Sequence, residues 1–153
     1  MTRVFLAPTA GLLIVLAAMY LEGGQIASIT QLTGIMIVLG GTFTVLLAAF
    51  PWQVVRKSFR IALGRAKMPL TEDLKQAVEV FRTLGNAAVL SGIAGFLIGA
   101  IHVMEHLERS LETGMLGLGV AVSIVSLLYG VLIKLFVATP MRDAAIARIS
   151  VRS

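Results

Sequence analysis

Ala87-Ala88-Val89-Leu90-Ser91-Gly92-Ile93-Ala94-Gly95-Phe96-Leu97-Ile98-Gly99 and, after a short acidic stretch, Gly117-Leu118-Gly119 running on to Leu127-Leu128-Tyr129-Gly130 and Pro140 decide the fold. Both segments are apolar and long, and their glycines fall on neighbouring faces of a helix. Glycine costs about 1 kcal/mol relative to alanine inside a water-exposed helix, so its repetition at this spacing in apolar segments points to another helix approaching closely. The pair reads as two membrane helices folded back on each other and built to pack in an assembly.

Composition agrees. Hydrophobic residues make up 58% of the chain and charged ones only 14%, with a mean hydropathy of +0.93. These values describe an integral membrane protein rather than a soluble domain. The expected fold is all-α, with four transmembrane helices in a single domain over residues 1–153, room enough for short connections and little else. The absence of cysteine excludes disulfides and thiolate chemistry. The net charge of +5 raises the question of nucleic acid, but the basic residues lie beside the apolar segments, as membrane-flanking cations do. Nucleic acid is therefore not an expected partner, whereas membrane lipids are.

Working outward, the first span is expected over about 4–21, behind Arg3 and with Pro8 near its start, where a missing N–H costs least. A cleaved signal peptide is the rival reading of that stretch, with small residues following at Ala27 and Ser28. The run is longer than the roughly 7 to 15 residues of such apolar cores. After the polar turn Glu22-Gly23-Gly24-Gln25, a second span over about 32–50 ends at Pro51-Trp52, with Gly40-Gly41 at its middle. The glycine pair is expected at a close helix contact, and Trp52 at the membrane surface.

A basic connection follows over about 51–83. Arg56, Lys57, Arg60, Arg65, Lys67, Lys75 and Arg82 outweigh Glu72, Asp73 and Glu79, which places this connection in the cytoplasm. Its first half interleaves cations with Val54, Val55, Phe59, Ile61 and Leu63, the pattern of a helix at an anionic lipid surface. Its second half is expected to form a helix capped by Thr71, with an apolar stripe of Leu74, Val78, Phe81 and Leu84 leading into the third span at about 84–104. The acidic outer loop is expected at about 105–114 and the fourth span at about 115–139. A cytoplasmic tail over 140–153 carries Arg142, Arg148 and Arg152, so both termini are expected inside. Lys134 lies near the inner end of the last span, within reach of headgroups.

At this point the chain resembles the MotA/TolQ/ExbB proton-channel family, and most of all its flagellar-stator MotA branch. The resemblance rests on Met19-Tyr20-Leu21-Glu22-Gly23-Gly24, on Ile37-Val38-Leu39-Gly40-Gly41-Thr42 closing at Phe50-Pro51, and on Gly92-Ile93-Ala94-Gly95 with Ile98-Gly99. It continues with Gly119-Val120-Ala121-Val122, Leu128-Tyr129-Gly130-Val131 and Pro140. The resemblance implies a homo-oligomer, a pentamer, around two single-pass MotB-, ExbD- or TolR-like partner helices in the bacterial inner (cytoplasmic) membrane. In such a multi-pass assembly spans three and four line the pore, and a partner aspartate carries the ion. Gly92, Gly95, Gly99, Gly119, Gly130 and Pro140 would then form the packing and pore framework.

Two features depart from the family pattern. Val89 and Phe96 stand where the MotA pattern has a proline and a threonine, and Leu127 replaces one of the polar pair of span four, leaving Ser126. Ser91, Ser123 and Ser126 are the candidate hydroxyls of an ion path, although a serine in a membrane helix more often bonds its own backbone or a neighbouring helix. In length, the connection lacks the large cytoplasmic region through which the flagellar branch engages its rotor, and the inward extensions typical of TolQ and ExbB look curtailed.

Leu84 to Met104 and Met115 to Ile133 contain no carboxylate, so a proton relay through these spans needs an acid from a partner. The expected function is a stator-like, proton-driven motor subunit. The alternative is a non-conducting structural or assembly subunit that keeps the ring-forming fold. No catalytic residue, cofactor or metal site is expected, so the chain is not read as an enzyme. His102 and His106, spaced as two ligands on one helical face, are too few for a site without further donors.

Overall fold

A computed structural model describes residues 9–11, 13–14, 17, 21, 32–65, 69–105 and 116–150, with side chains at 116–119 and 122 excepted. All regular structure among the described residues is helical. The elements are α1 (Leu32–Ala49), α2 (Trp52–Ala62), α3 (Thr71–Glu105), α4 (Leu116–Ile133), a π-helical turn (Lys134–Ala138) and α5 (Thr139–Ser150). Among the described residues, three helical stretches are long and apolar enough to cross a membrane: Leu32–Ala49, Thr71–Glu105 and Ser123–Ser150. Of the expected first span, only residues 9–11, 13–14, 17 and 21 are described, all helical. The turn at Glu22-Gly23-Gly24-Gln25 and the acidic loop with His106, Glu108, Arg109 and Glu112 lie outside the described residues.

Helix α3 is the spine. Its 35 residues span about 52 Å at 1.5 Å per residue, against a hydrocarbon core of about 30 Å. Its apolar half begins near Leu84, and the Thr71 end extends beyond any bilayer the apolar half can occupy. Helices α1 and α2 run antiparallel to it on one side, with Gly41 meeting Ser91, and Leu46 clustering with Val80 and Leu84. The α4–α5 arm runs antiparallel on the other side, with Gly99 meeting Ser123 and Gly85 meeting Ala138.

Local chemistry sets the breaks. Phe50 precedes a proline and is driven out of helical geometry, so α1 stops at Ala49. Pro51 is extended (φ −58°, ψ 142°), and its carbonyl accepts from the N–H groups of Val54 and Val55, starting α2. At the far end of α2, Gly64 takes φ 75° while its N–H donates to Ile61 and that of Arg65 donates to Arg60. This is a Schellman ending, and the left-handed residue it needs is supplied by glycine.

The expected lipid-facing stripe of α2 is covered by protein. Val55 and Ile61 are buried; Ile61 and Ala62 pack with Leu74, Ala77 and Phe81 of α3 and Ala145 of α5, and the Phe59 ring meets Phe81 edge-on at 5.2 Å. The arrangement follows from the tail: instead of ending at Pro140, the last arm stays helical to Ser150 and supplies a third wall. Residues expected to form a surface helix and a tail thus build a small bundle of α2, the first half of α3 and α5.

The cap of α3 also differs from expectation. Thr71 is the first helical residue, and the carboxylate of Asp73 reaches back to accept from the Leu70 N–H at 3.2 Å, the returning half of a capping box. The Lys57 ammonium donates to the same carboxylate at 2.7 Å, tying α2 to the start of α3. That hydrogen bond, with the Leu70 N–H and the Lys57 charge adding to it against a smaller desolvation effect, holds the Asp73 carboxyl below its usual range.

A depressed folded value means the tie contributes in full above the ordinary carboxylate pKa of about 3.9 and is lost as pH falls through the lower folded value. Asp73→Asn should therefore raise hydrogen exchange across the α2 amides at neutral pH. The unmodified chain should show the same rise only below about pH 4; equal exchange in both proteins at pH 7 would count against the tie.

Candidate functional site

The candidate residues converge on the seam between α3 and α4. Positions Gly85, Ala88, Gly92, Gly95 and Gly99 alternate steps of three and four, which keeps them on one stripe of α3. A Cβ built on Gly92 would lie 2.9 Å from the Ser126 carbonyl oxygen and 3.3 Å from the Cα atoms of Gly130 and Leu127. One on Gly130 would strike the Ala88 carbonyl and sit 3.1 Å from the Val89 Cα. Here backbone meets backbone, and neither side has a flexible atom to move.

Further along, serine side chains fill the notches that glycine leaves. A Cβ on Gly95 would lie 2.9 Å from the Ser126 Cβ, and one on Gly99 2.9 Å from the Ser123 Cβ. Ser126 also reaches α1, where a Cβ on Gly34 would lie 2.8 Å from its Oγ. Ser91 fills the notch at Gly41, with its Cβ 3.0 Å from a Cβ built there. All three serines are buried, Ser126 to 4% exposure. They occupy contacts between helices of one chain.

The other sequence-derived candidates are placed as follows. Val89, Phe96 and Leu127 are half-buried, and the first and last border the seam through their backbones. Gly119 lies in α4, its surroundings outside the described residues. Of the pair Gly40-Gly41 only Gly41 makes a close contact, since a Cβ on Gly40 would meet nothing within 4 Å. Gly34, Gly85 and Ala88 escaped the sequence reading, although the three-four stepping through Gly85 and Ala88 extends that of Gly92, Gly95 and Gly99.

Pro140 has a visible consequence. A proline inside a helix lacks its N–H, and its ring presses on the carbonyl four residues earlier. The turn before it widens into a π-helix, and the Thr139 hydroxyl donates to the Lys134 carbonyl at 2.9 Å. The widened turn sets Lys134 beside α3, where its ammonium donates to the Asn86 side-chain oxygen at 3.3 Å. Arg82 and Arg142 join Lys134, Asn86 and Thr139 around a polar hollow of about 270 Å³. The seam thus ends, on its water side, in a ring of cations. Among the described residues no group of three or more acidic, histidine or cysteine side chains could hold a metal ion.

Gly92→Ala and Gly130→Ala should each cost about 1–3 kcal/mol, because an added methyl meets backbone. Gly95→Leu should disrupt the fold outright. Gly40→Ala should be neutral or stabilising. Thermal unfolding in detergent, with oligomer size followed by light scattering, reads the contrast; equal midpoints for Gly40→Ala and Gly92→Ala would refute the seam.

No curated protein matches the chain. A family model described as the MotA/TolQ/ExbB proton channel family matches residues 53–152. That match starts in α2 and takes in the seam, the π turn and all of α5, whereas Met19–Gly24 and Ile37–Thr42 fall before it. With the match covering most of the sequence and both helices of the seam, the chain belongs to the MotA/TolQ/ExbB proton channel family.

Proposed function

We propose that this chain is a stator-like subunit of a proton-driven membrane motor, working as one of about five copies around two single-pass MotB-, ExbD- or TolR-like helices. The copy number and partner type follow the family's pattern. The basic residues around α2, α3 and α5 favour a cytoplasmic water-side bundle, both termini inside, a fourth span over about 4–21 and a bacterial inner-membrane location. Its work is mechanical coupling rather than bond chemistry, so it is not an enzyme in the chemical sense.

One observation carries the reading: the two helices of the seam are tightly joined yet hold no carboxylate between Leu84 and Met104 or between Met115 and Ile133. A proton path along them therefore needs an acid brought by another chain. A second observation supports assembly. Only 22%, 22% and 17% of the three apolar span windows are buried within the chain, leaving most of their surface for lipid or other subunits. Leu90, Leu97 and Ile101 stand on the open face of α3, turned away from the seam.

The burial of Ser91, Ser123 and Ser126 in packing contacts, with Val89, Phe96 and Leu127 at the departing positions, favours a second reading. In it the chain is a non-conducting assembly subunit that has kept the ring-forming fold.

Mass measurement of the natively purified complex, followed by proton flux in proteoliposomes, separates the two. The motor reading expects five copies with two of an aspartate-bearing partner. Flux should appear only with that partner and vanish when its aspartate is neutralised. A ring without partner or flux would establish the second reading. Ser126→Ala addresses the seam directly: lower thermal stability with unchanged flux is expected, and lost flux at unchanged stability would move this hydroxyl onto the ion path.

A further inference from the structure

Where α1 gives way to α2, a groove of about 370 Å³ runs along the side of the bundle. Leu39, Phe43 and Leu46 of α1 form one wall, and Ile133 and Val137 of the opposite arm form the other. Trp52 and Arg56, from the first turns of α2, stand at its water-side end. The exposed lining is apolar throughout, so Arg56 contributes its aliphatic stem and Trp52 its ring carbons. An apolar groove edged by an amphipathic ring and a long cationic side chain matches a bilayer lipid, whose acyl chain leads to an interface and a headgroup.

The cation at the mouth is open. Arg56 makes no ion pair or hydrogen bond among the described residues, whereas its neighbour Lys57 is tied to Asp73 at 2.7 Å. Arg60, one turn further on, is exposed and equally unengaged. A second copy of the chain packed along the groove would bring Glu72, Asp73 and Glu79 only together with the seven cations of the same basic connection, a net charge of the same sign as Arg56. An amphiphile with an anionic head satisfies both ends at once.

We propose that this groove binds one anionic phospholipid of the surrounding bilayer, with an acyl chain between α1 and the α4–π arm and its phosphate on Arg56, Arg60 lying within the same headgroup layer. The site is distinct from the seam and requires neither an ion path nor a partner.

Trp52 is the chain's single tryptophan and lines the groove, so all the indole fluorescence comes from this position. The full-length protein is reconstituted in phosphatidylcholine vesicles holding graded fractions of chain-brominated phosphatidylglycerol or chain-brominated phosphatidylcholine, and Trp52 quenching is compared. Brominated phosphatidylglycerol should compete for the site about fivefold better, the worth of one cation near an anionic headgroup. Arg56→Gln should abolish that preference and Arg56→Lys should keep it. Arg148→Gln, which removes an equal charge elsewhere, should leave it intact. Equal quenching by both lipids in the unmodified protein, or a preference that survives Arg56→Gln, would overturn the proposal. So would a Trp52 that neither lipid quenches, since protein would then cover the groove.

Discussion

The structure depends on how closely the α3 and α4 backbones approach. Inside a bilayer no hydrophobic force draws two apolar helices together, because lipid tails are as apolar as leucine. What remains is van der Waals contact, which falls away steeply with distance. Glycine at 92 and 130 removes the side chains that would hold the backbones apart, and serine at 123 and 126 fills the shallower notches at Gly99 and Gly95. Helix α1 joins the same arrangement through Gly34 and Gly41. The stripe of α3 that faces α4 is therefore almost without large side chains, and these are left for the outer surface.

Below the apolar half of α3 the physics changes, and the residues change with it. Where water can reach the chain, burial of large apolar groups becomes favourable at roughly 25 cal/mol per Å². Of the fully buried large side chains, Phe81, Ile61, Leu74, Val55 and Val80 lie at this end, while Leu46 and Val38 belong to α1. The α2–α3–α5 bundle is an ordinary hydrophobic core stapled to a membrane seam, and α3 passes through both without a break. The Phe50-Pro51 step and the π turn before Pro140 lie near the junction on either side of it. Each flanking arm has a proline there while the spine has none, so α3 runs through as one unbroken helix from Thr71 to Glu105.

The same junction accounts for the polar features. Lys134 is carried at the inner end of the seam by the widened turn, and Arg82 and Arg142 approach it from the water-side bundle. Trp52 and Arg56 hold the corresponding level on the other face. Cations and an indole beside apolar spans are the residues that anchor helices at a membrane surface. Here they come from α2, α3, the π turn and α5, which are far apart in sequence.

By itself the sequence determined that the chain is helical and membrane-embedded, that Gly92, Gly95, Gly99 and Gly130 mark close packing, and that a proton path through the seam helices would lack a carboxylate. These properties follow from composition and helical spacing, which are local. Only the tertiary structure decided what the glycines meet. In sequence Ser91, Ser123 and Ser126 are compatible both with an ion path and with helix contacts; the tertiary structure seats them against Gly41, Gly99 and Gly95, in notches the size of a hydroxymethyl group. Gly40 and Gly41 are alike in sequence, yet successive helix positions point about 100° apart, so only one of them can face α3. The stripe of α2 is likewise amphipathic whether it meets lipid or protein. The helical continuation of α5 to Ser150 settles that it meets protein, because Ala145 joins Ile61 and Ala62 there from a distant part of the sequence, a contact that no local pattern encodes.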